Sequence, residues 1–129
     1  MLKLNGFKIT ETLYSTPSTN VFRAIRESDN CSVILRTCDE KASVSQWARL
    51  SSSAEILRGF KHPNIAKVLD VIDHSGQPWL VMADSQSIDL AQYVNTLNNK
   101  QLTLNTFLNI AIQLAEALSV IHHAHVIHK

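Results

Sequence analysis

A run of six residues, Ser32-Val33-Ile34-Leu35-Arg36-Thr37, places the strongest constraint on how this chain can fold. Its aliphatic side chains are consecutive, and polar residues lie on both sides of them. That pattern is typical of a strand covered on both faces, so we predict a strand at the centre of a sheet. Two roles are open for Arg36: its charge faces a ligand enclosed by the sheet, or it snorkels to water from the strand end.

Size and composition limit the class of protein. The chain has 129 residues, of which 45% are hydrophobic, which suits one small domain with one core. A formal net charge of +1 lacks the excess of basic residues that is typical of nucleic-acid-binding domains, so we expect no nucleic-acid partner. We expect no apolar run of membrane-spanning length and no secretory signal, and therefore no membrane contact and a cytoplasmic location.

Two cysteines lie on either side of the central run. An extended strand of seven residues would hold Cys31 and Cys38 about 23 Å apart, far beyond disulfide reach. We therefore expect two free thiols.

Four further strands and one helix are predicted around the central run. Alternating or continuous apolar residues bounded by turn-forming ones predict strands at 7–14, 19–26, 65–72 and 79–82. Helical spacing of apolar residues predicts one amphipathic helix at 41–60. Five strands with a helix inserted after the third make an antiparallel α+β unit.

The last third of the chain is predicted to be helical. A short helix is expected over 88–97 and a longer one over 104–123. Apolar residues of the longer helix cover more than one stripe, so we expect it to have neighbours on several sides.

The order of these elements, with several short motifs, resembles the first half of a protein kinase domain. The motif Val33-Ile34-Leu35-Arg36 stands where kinases have V-A-I-K, and Val21 precedes Arg36 by fifteen residues, as in that family. Further matches are Leu13-Tyr14-Ser15 in the first hairpin, Lys61-His62-Pro63-Asn64-Ile65 after the regulatory helix, Trp79-Leu80-Val81-Met82 before the hinge and Val126-Ile127-His128-Lys129 at the catalytic loop. Within that family the chain resembles the serine/threonine kinase-type domain that opens large bacterial proteins with an ATPase-like region and a sensor histidine kinase.

The resemblance implies a kinase-like small lobe at about 1–83, a hinge at 84–87 and the first two helices of the large lobe at 88–129. It also implies ATP and Mg²⁺ as cofactors of the intact family. The positions that would contact the nucleotide are Leu13, Val21, Ile34, Arg36, Met82 and Asp84. We expect the Asp84 carboxylate itself to be solvated, because adenine meets backbone groups in a kinase hinge.

Several departures from the family make ATP binding by this chain doubtful. Tyr14, Thr16 and Thr19 stand where the family has glycines, which let backbone N–H groups approach the phosphates. Arg36 replaces the lysine, and its planar fork cannot place charge where a compact ammonium sits. Ile34 replaces the alanine that packs on adenine.

The partner of the family's lysine is also missing. Counting back from Pro63, Ser53 stands at the glutamate position, and a serine forms no ion pair. Glu55 is a potential substitute, but two residues along a helix turn its side chain by about 200°, away from the sheet.

The family's catalytic aspartate would directly follow Lys129, and its metal-binding asparagine and D-F-G motif lie further on. The chain as given then holds no general base and no magnesium ligand. We predict that it does not transfer phosphate by itself.

Histidines at 122, 123, 125 and 128 could suggest a metal site, because imidazole is a common metal ligand. No carboxylate or thiol lies beside them in sequence, and such residues are expected near a helix C-terminus. We predict no metal site there.

Two functions of different class remain open. The chain is the N-terminal part of a serine/threonine kinase-type enzyme, inactive as these 129 residues, or a non-catalytic pseudokinase-type binding or regulatory module. The helix at 104–123 favours the second, because without the rest of a large lobe it would expose on the order of several hundred Å² of apolar surface. A protein partner or self-association would cover that surface.

Overall fold

A computed structural model describes residues 3–127 as five strands and three helices. The strands are β1 (Phe7–Ser15), β2 (Asn20–Arg26), β3 (Cys31–Thr37), β4 (Val68–His74) and β5 (Gln77–Ala83). The helices are α1 (Val44–Arg58), between β3 and β4, and α2 (Leu90–Thr96) and α3 (Leu104–His123), after β5. The chain forms two compact units, the first running through Lys61 and Ala66–Asp84, the second taking His62–Ile65 and the residues from Ser85 onward.

The first unit is built on one antiparallel sheet with the strand order β1-β2-β3-β5-β4. β3 is the middle strand, and the α+β class is confirmed. The bounds of the elements differ from the prediction by a few residues. β4 begins at Val68 rather than at residue 65, and His62–Ile65 belongs to the second unit.

α1 begins where a capping box closes its first turn. The Ser43 hydroxyl accepts a bond from the Gln46 N–H at 3.3 Å, and the Gln46 side-chain oxygen accepts one from the Ser43 N–H at 2.7 Å. These reciprocal bonds satisfy donors that a helix start would leave unpaired. The helix predicted from residue 41 therefore starts at Val44.

The two faces of the sheet are covered differently. One face, here the closed face, carries a core of buried residues: Leu4, Phe22, Ala24, Val33, Leu35, Trp79 and Val81. On the other, here the helix face, Leu80 and Cys38 pack with Leu50 and Ala54 of α1, which lies against β4 and β5. The prediction that β3 is covered on both faces is therefore right only for the closed face, and Ile34 and Arg36 are half-buried.

Both cysteines are free thiols, as predicted. Cys31 is exposed and Cys38 is buried.

The turn from β2 to β3 is closed by an ion pair. The Arg26 guanidinium donates to both Asp29 carboxylate oxygens, Nε to Oδ1 at 3.0 Å and Nη2 to Oδ2 at 2.5 Å. The Cys31 N–H donates to the same carboxylate at 3.2 Å. The hydrogen bonds from Arg26, with a smaller contribution from Cys31, lower the pKa of Asp29 to about 2.

The second unit presents an apolar helix with little cover. Ala117 is the one buried residue of α3, and six of its large apolar side chains are exposed: Leu104, Phe107, Leu108, Ile112, Leu114 and Leu118. Among residues 3–127, α3 therefore lacks the neighbours that its composition predicts. By length and composition alone α3 is also long and apolar enough to cross a membrane, which corrects the expectation that no such run exists and is weak evidence of a span.

Replacing a fully buried side chain of β3 tests the central role of this strand. Leu35→Ala should lower the free energy of unfolding by about 2–5 kcal/mol, because it leaves a cavity on the closed face. Ile56→Ala, at a position 45% exposed on α1, is the control and should cost much less. Urea denaturation of the purified chain measures both, and equal losses would contradict the assignment of Leu35 to the core.

The Asp29 ion pair gives a pH-dependent contribution to stability. Because the pKa of Asp29 is lowered from 3.8 to about 2 in the fold, its contribution is present above pH 4 and is lost as the pH falls towards 2. Arg26→Gln should return the pKa of Asp29 towards 3.8, whereas Arg49→Gln, which also removes one cation, should not. Carboxyl ¹³C NMR titration measures the pKa, and an unchanged value in Arg26→Gln would show that the pair is not formed.

Candidate functional site

The register of the three central strands brings four of the predicted nucleotide-contacting residues together. Side chains of directly paired residues point to the same face of a sheet. Across β2, β3 and β5, adjacent rows on the helix face are Val21–Arg36–Leu80 and Arg23–Ile34–Met82. Val21, Ile34, Arg36 and Met82 therefore form one patch.

Leu13, the predicted nucleotide-contacting residue of β1, is not part of the rows that form this patch. It lies at a register irregularity of β1 between Thr12 and Tyr14, and Tyr14 is the residue that pairs with Val21. Leu13 is 37% exposed. The alternation of β1 as read from sequence does not show this irregularity, because the register depends on how β1 pairs with β2.

Arg36 is half-buried at the position of the family's lysine, and its side chain makes no hydrogen bond or ion pair within the described residues. The position expected for its partner, Ser53 on α1, is exposed, and its hydroxyl donates to the Arg49 carbonyl at 2.8 Å. Glu55, the carboxylate of α1, is exposed and lies 3.7 Å from Arg58. No carboxylate of α1 is therefore paired with Arg36.

The charge of Arg36 acts on the buried thiol of Cys38. Burial raises the pKa of the Cys38 thiol, and the nearby Arg36 guanidinium partly opposes that shift. The thiol lies 3.6 Å from the Gln46 carbonyl oxygen, to which it donates. Cys38 is thus a protonated side chain of the core rather than an anion that could pair with Arg36.

The turn between β1 and β2 uses its own backbone donors. The Thr16 N–H donates to the Thr19 carbonyl at 2.9 Å, and the Thr19 N–H donates back to the Thr16 hydroxyl at 3.1 Å. The Ser18 N–H approaches the same hydroxyl at 3.4 Å, and Pro17 has no N–H. A turn closed in this way offers few free N–H groups to a phosphate.

Asp84 corrects the expectation of a solvated carboxylate. Its side chain is 2% exposed and accepts from Arg23 Nε at 2.9 Å and from the Ser32 hydroxyl at 2.6 Å. Arg23 also donates to Glu11 at 2.6 Å. These four residues, here the hinge clamp, tie β1, β2 and β3 to the end of β5.

Of the two arginines on the helix face, Arg23 is the one that forms ion pairs in the hinge clamp. Hydrogen bonding to Asp84 raises the pKa of Arg23 above its ordinary value, so this guanidinium stays charged between two carboxylates. Residues 84–87, predicted to be the hinge, begin at the clamp. A signal for the clamp was available in the sequence, since Arg23 is a charge in the middle of a predicted strand.

The predicted catalytic-loop start ends at His128 and Lys129, which lie outside the described residues. Of the neighbouring histidines, His123 Nδ1 lies 2.8 Å from the Ser119 carbonyl oxygen. Residues 3–127 contain no group of three or more histidine, cysteine, aspartate or glutamate side chains that could hold a metal ion.

Comparisons with known proteins agree with this architecture. The family model of protein tyrosine and serine/threonine kinases matches residues 7–129. Serine/threonine-protein kinase ULK3 of Homo sapiens is 29% identical over 98% of this chain and 27% of its own length, and that of Mus musculus is 28% identical over the same shares. Cyclin-dependent kinase 15 of Homo sapiens is 29% identical over 98% of this chain and 28% of its own length.

The chain thus spans about a quarter of the length of these relatives. Its five-stranded sheet with one inserted helix, followed by further helices, has the element order of a kinase small lobe and the start of a large lobe. The chain belongs to the protein tyrosine and serine/threonine kinase family, as the N-terminal part of a serine/threonine kinase-like domain.

Proposed function

We propose that this kinase-like domain acts as a pseudokinase-type binding or regulatory module that binds ATP weakly or not at all. The observation that carries the proposal is the environment of Arg36. At the position of the family's lysine, this guanidinium has no carboxylate of α1 to hold it. Phosphoryl transfer depends on charges placed accurately around the phosphates, so an unheld cation is a weak substitute.

Two further features of the small lobe support the proposal. The turn between β1 and β2 uses the N–H groups of Thr16 and Thr19 for its own hydrogen bonds. Ile34 also brings extra methylene and methyl groups to the patch, where an alanine would leave room for an adenine ring. ATP and Mg²⁺ binding by this chain is therefore expected to be weak or absent.

The alternative is ATP-dependent phosphoryl transfer by the intact protein. It is favoured by the patch itself, which places Val21, Arg36 and Met82 on one face of the sheet. The relatives are named as serine/threonine-protein kinase and cyclin-dependent kinase. An unpaired arginine can also bind a phosphate directly.

A protein partner or self-association through α3 is part of the proposal. Phe107, Ile112 and Leu114 are each more than half exposed on this helix. Contiguous apolar surface of this kind commonly marks an interface. The family resemblance also suggests that the remainder of a large lobe packs on this surface of α3. The two possibilities differ because only the first predicts that the chain associates by itself.

The wider context of the domain is also a proposal. Its motifs resemble the kinase-type domain at the start of large bacterial proteins with an ATPase-like region and a sensor histidine kinase, and such a protein would be cytoplasmic. The coding sequence after Lys129 is the test, because an ATPase-like region and a sensor histidine kinase further on would support this context. An aspartate directly after Lys129, an asparagine five residues later and then D-F-G would favour an enzyme over the binding module.

Nucleotide titration separates the two functions. Calorimetry with Mg-ATP should show no saturable binding to this chain with a dissociation constant below about 1 mM, an affinity of about −4 kcal/mol. Saturable micromolar binding that is lost in Arg36→Gln, but kept in Arg49→Gln, would contradict the proposal and favour the enzyme.

A charge placed on α3 tests association through its apolar surface. Leu114→Glu should shift the chain towards monomer in analytical ultracentrifugation, because a carboxylate in an apolar contact loses its hydration. Gln113→Glu adds the same charge at the neighbouring exposed position and is the matched control. A chain that is already monomeric without either change would contradict self-association.

A further inference from the structure

The turn that leads into β1 contains an Asn-Gly pair, Asn5-Gly6. Both residues are exposed, and Gly6 has a positive φ of 83°. A Cβ added to Gly6 would have no atom within 4 Å. The backbone conformation therefore favours glycine at this position, while the space around it stays open.

Two backbone hydrogen bonds hold this turn at its ends. The Phe7 N–H donates to the Leu4 carbonyl at 3.2 Å, and the Glu27 N–H donates to the Gly6 carbonyl at 2.9 Å. Leu4 is 3% exposed and belongs to the core of the closed face. The turn thus anchors Leu4 in that core and joins it to the end of β2.

The groups between these two anchors have no hydrogen bonds of their own. Within residues 3–127, neither the Gly6 N–H nor the Asn5 carboxamide has a hydrogen-bond partner. A backbone nitrogen that follows an asparagine can attack the carboxamide carbon and close a five-membered ring. Glycine obstructs this approach least, because it has no Cβ.

The charges around the turn favour the same attack. Lys3 and Lys8 line a cavity of about 390 Å³ together with Asn5 and Gly6, and Glu27 is the single carboxylate of that lining. The attacking nitrogen loses its proton, and the intermediate that it forms carries a negative charge. An excess of positive charge nearby stabilises such an intermediate.

We propose that Asn5 is a site of spontaneous deamidation in the folded chain, with water as the co-reactant. The Gly6 nitrogen loses its proton and bonds to Cγ of Asn5. The Cγ–Nδ2 bond breaks, and ammonia leaves with a proton in place of the one lost. Water then opens the cyclic imide at Cγ, which gives aspartate, or at the main-chain carbonyl carbon, which gives iso-aspartate. No atom is oxidised or reduced.

The two products differ in their effect on the turn. Aspartate adds a charge and keeps the ordinary main chain. Iso-aspartate routes the main chain through Cβ and Cγ, so it lengthens the path between the Leu4 and Gly6 carbonyls that the hydrogen bonds hold. Iso-aspartate therefore weakens the anchoring of Leu4. The site lies outside the patch around Arg36, so the inference does not depend on the function proposed for that patch.

Mass spectrometry of the aged chain tests the first step. The purified full chain is kept folded in mildly alkaline buffer and digested at acidic pH, and the conversion of each asparagine to a carboxylate is followed. Asn5 should convert at least about tenfold faster than Asn98, which is also exposed but is followed by another asparagine. Gly6→Ala should slow the conversion of Asn5 about tenfold, because the added methyl group crowds the attacking nitrogen.

Two results of this measurement would overturn the proposal. The first is conversion of Asn5 no faster than that of Asn98 in the folded chain, a comparison that needs no variant. The second is conversion of Asn5 only in chain unfolded with urea, since the folded turn would then protect the asparagine.

Urea denaturation separates the effects of the two products. Chain carrying iso-aspartate at position 5, isolated by chromatography, should unfold at a lower urea midpoint than fresh chain. Asn5→Asp carries the same charge on an ordinary main chain and is the matched control, which should keep the midpoint of the fresh chain. An equal fall in Asn5→Asp, or no fall with iso-aspartate, would overturn the role given to the lengthened main chain.

Discussion

The pairing of β3 with β2 on one side and β5 on the other determines where each functional side chain of the first unit lies. Antiparallel register with a two-residue period sends Val33 and Leu35 into the closed face and Ile34 and Arg36 to the helix face. A slip of one residue would bury the Arg36 charge in the apolar core. The burial of the two aliphatic side chains therefore holds the patch in place, and the patch depends on the core for its geometry.

Two arginines on that face have different surroundings, and this difference carries the functional argument. Arg23 lies between Glu11 and Asp84, so its charge is balanced and holds the end of β5. Arg36 has no such partner within residues 3–127. The carboxylates of Glu11 and Asp84 therefore bind Arg23 at the hinge. In a kinase, by contrast, the lysine is held by a carboxylate from the helix.

Local pattern predicted most of the elements, because each has a strong periodicity of its own. The bounds of α3 match the structure, and those of the strands differ by a few residues where caps and bulges intervene. The solvated environment expected for the Asp84 carboxylate was wrong, since its partner Arg23 lies 61 residues away and no local pattern joins the two.

The sequence by itself determined the succession of strands and helices along the chain, the kinase-like motifs and the replacement of the family's glycines, lysine and glutamate, since these follow from residue types and spacing. Only the tertiary structure decided which charges meet and which N–H groups the chain already uses for its own hydrogen bonds. Those outcomes depend on register and packing across distant segments, and hydrogen bonds are made between atoms brought together by the fold rather than between neighbours in the chain.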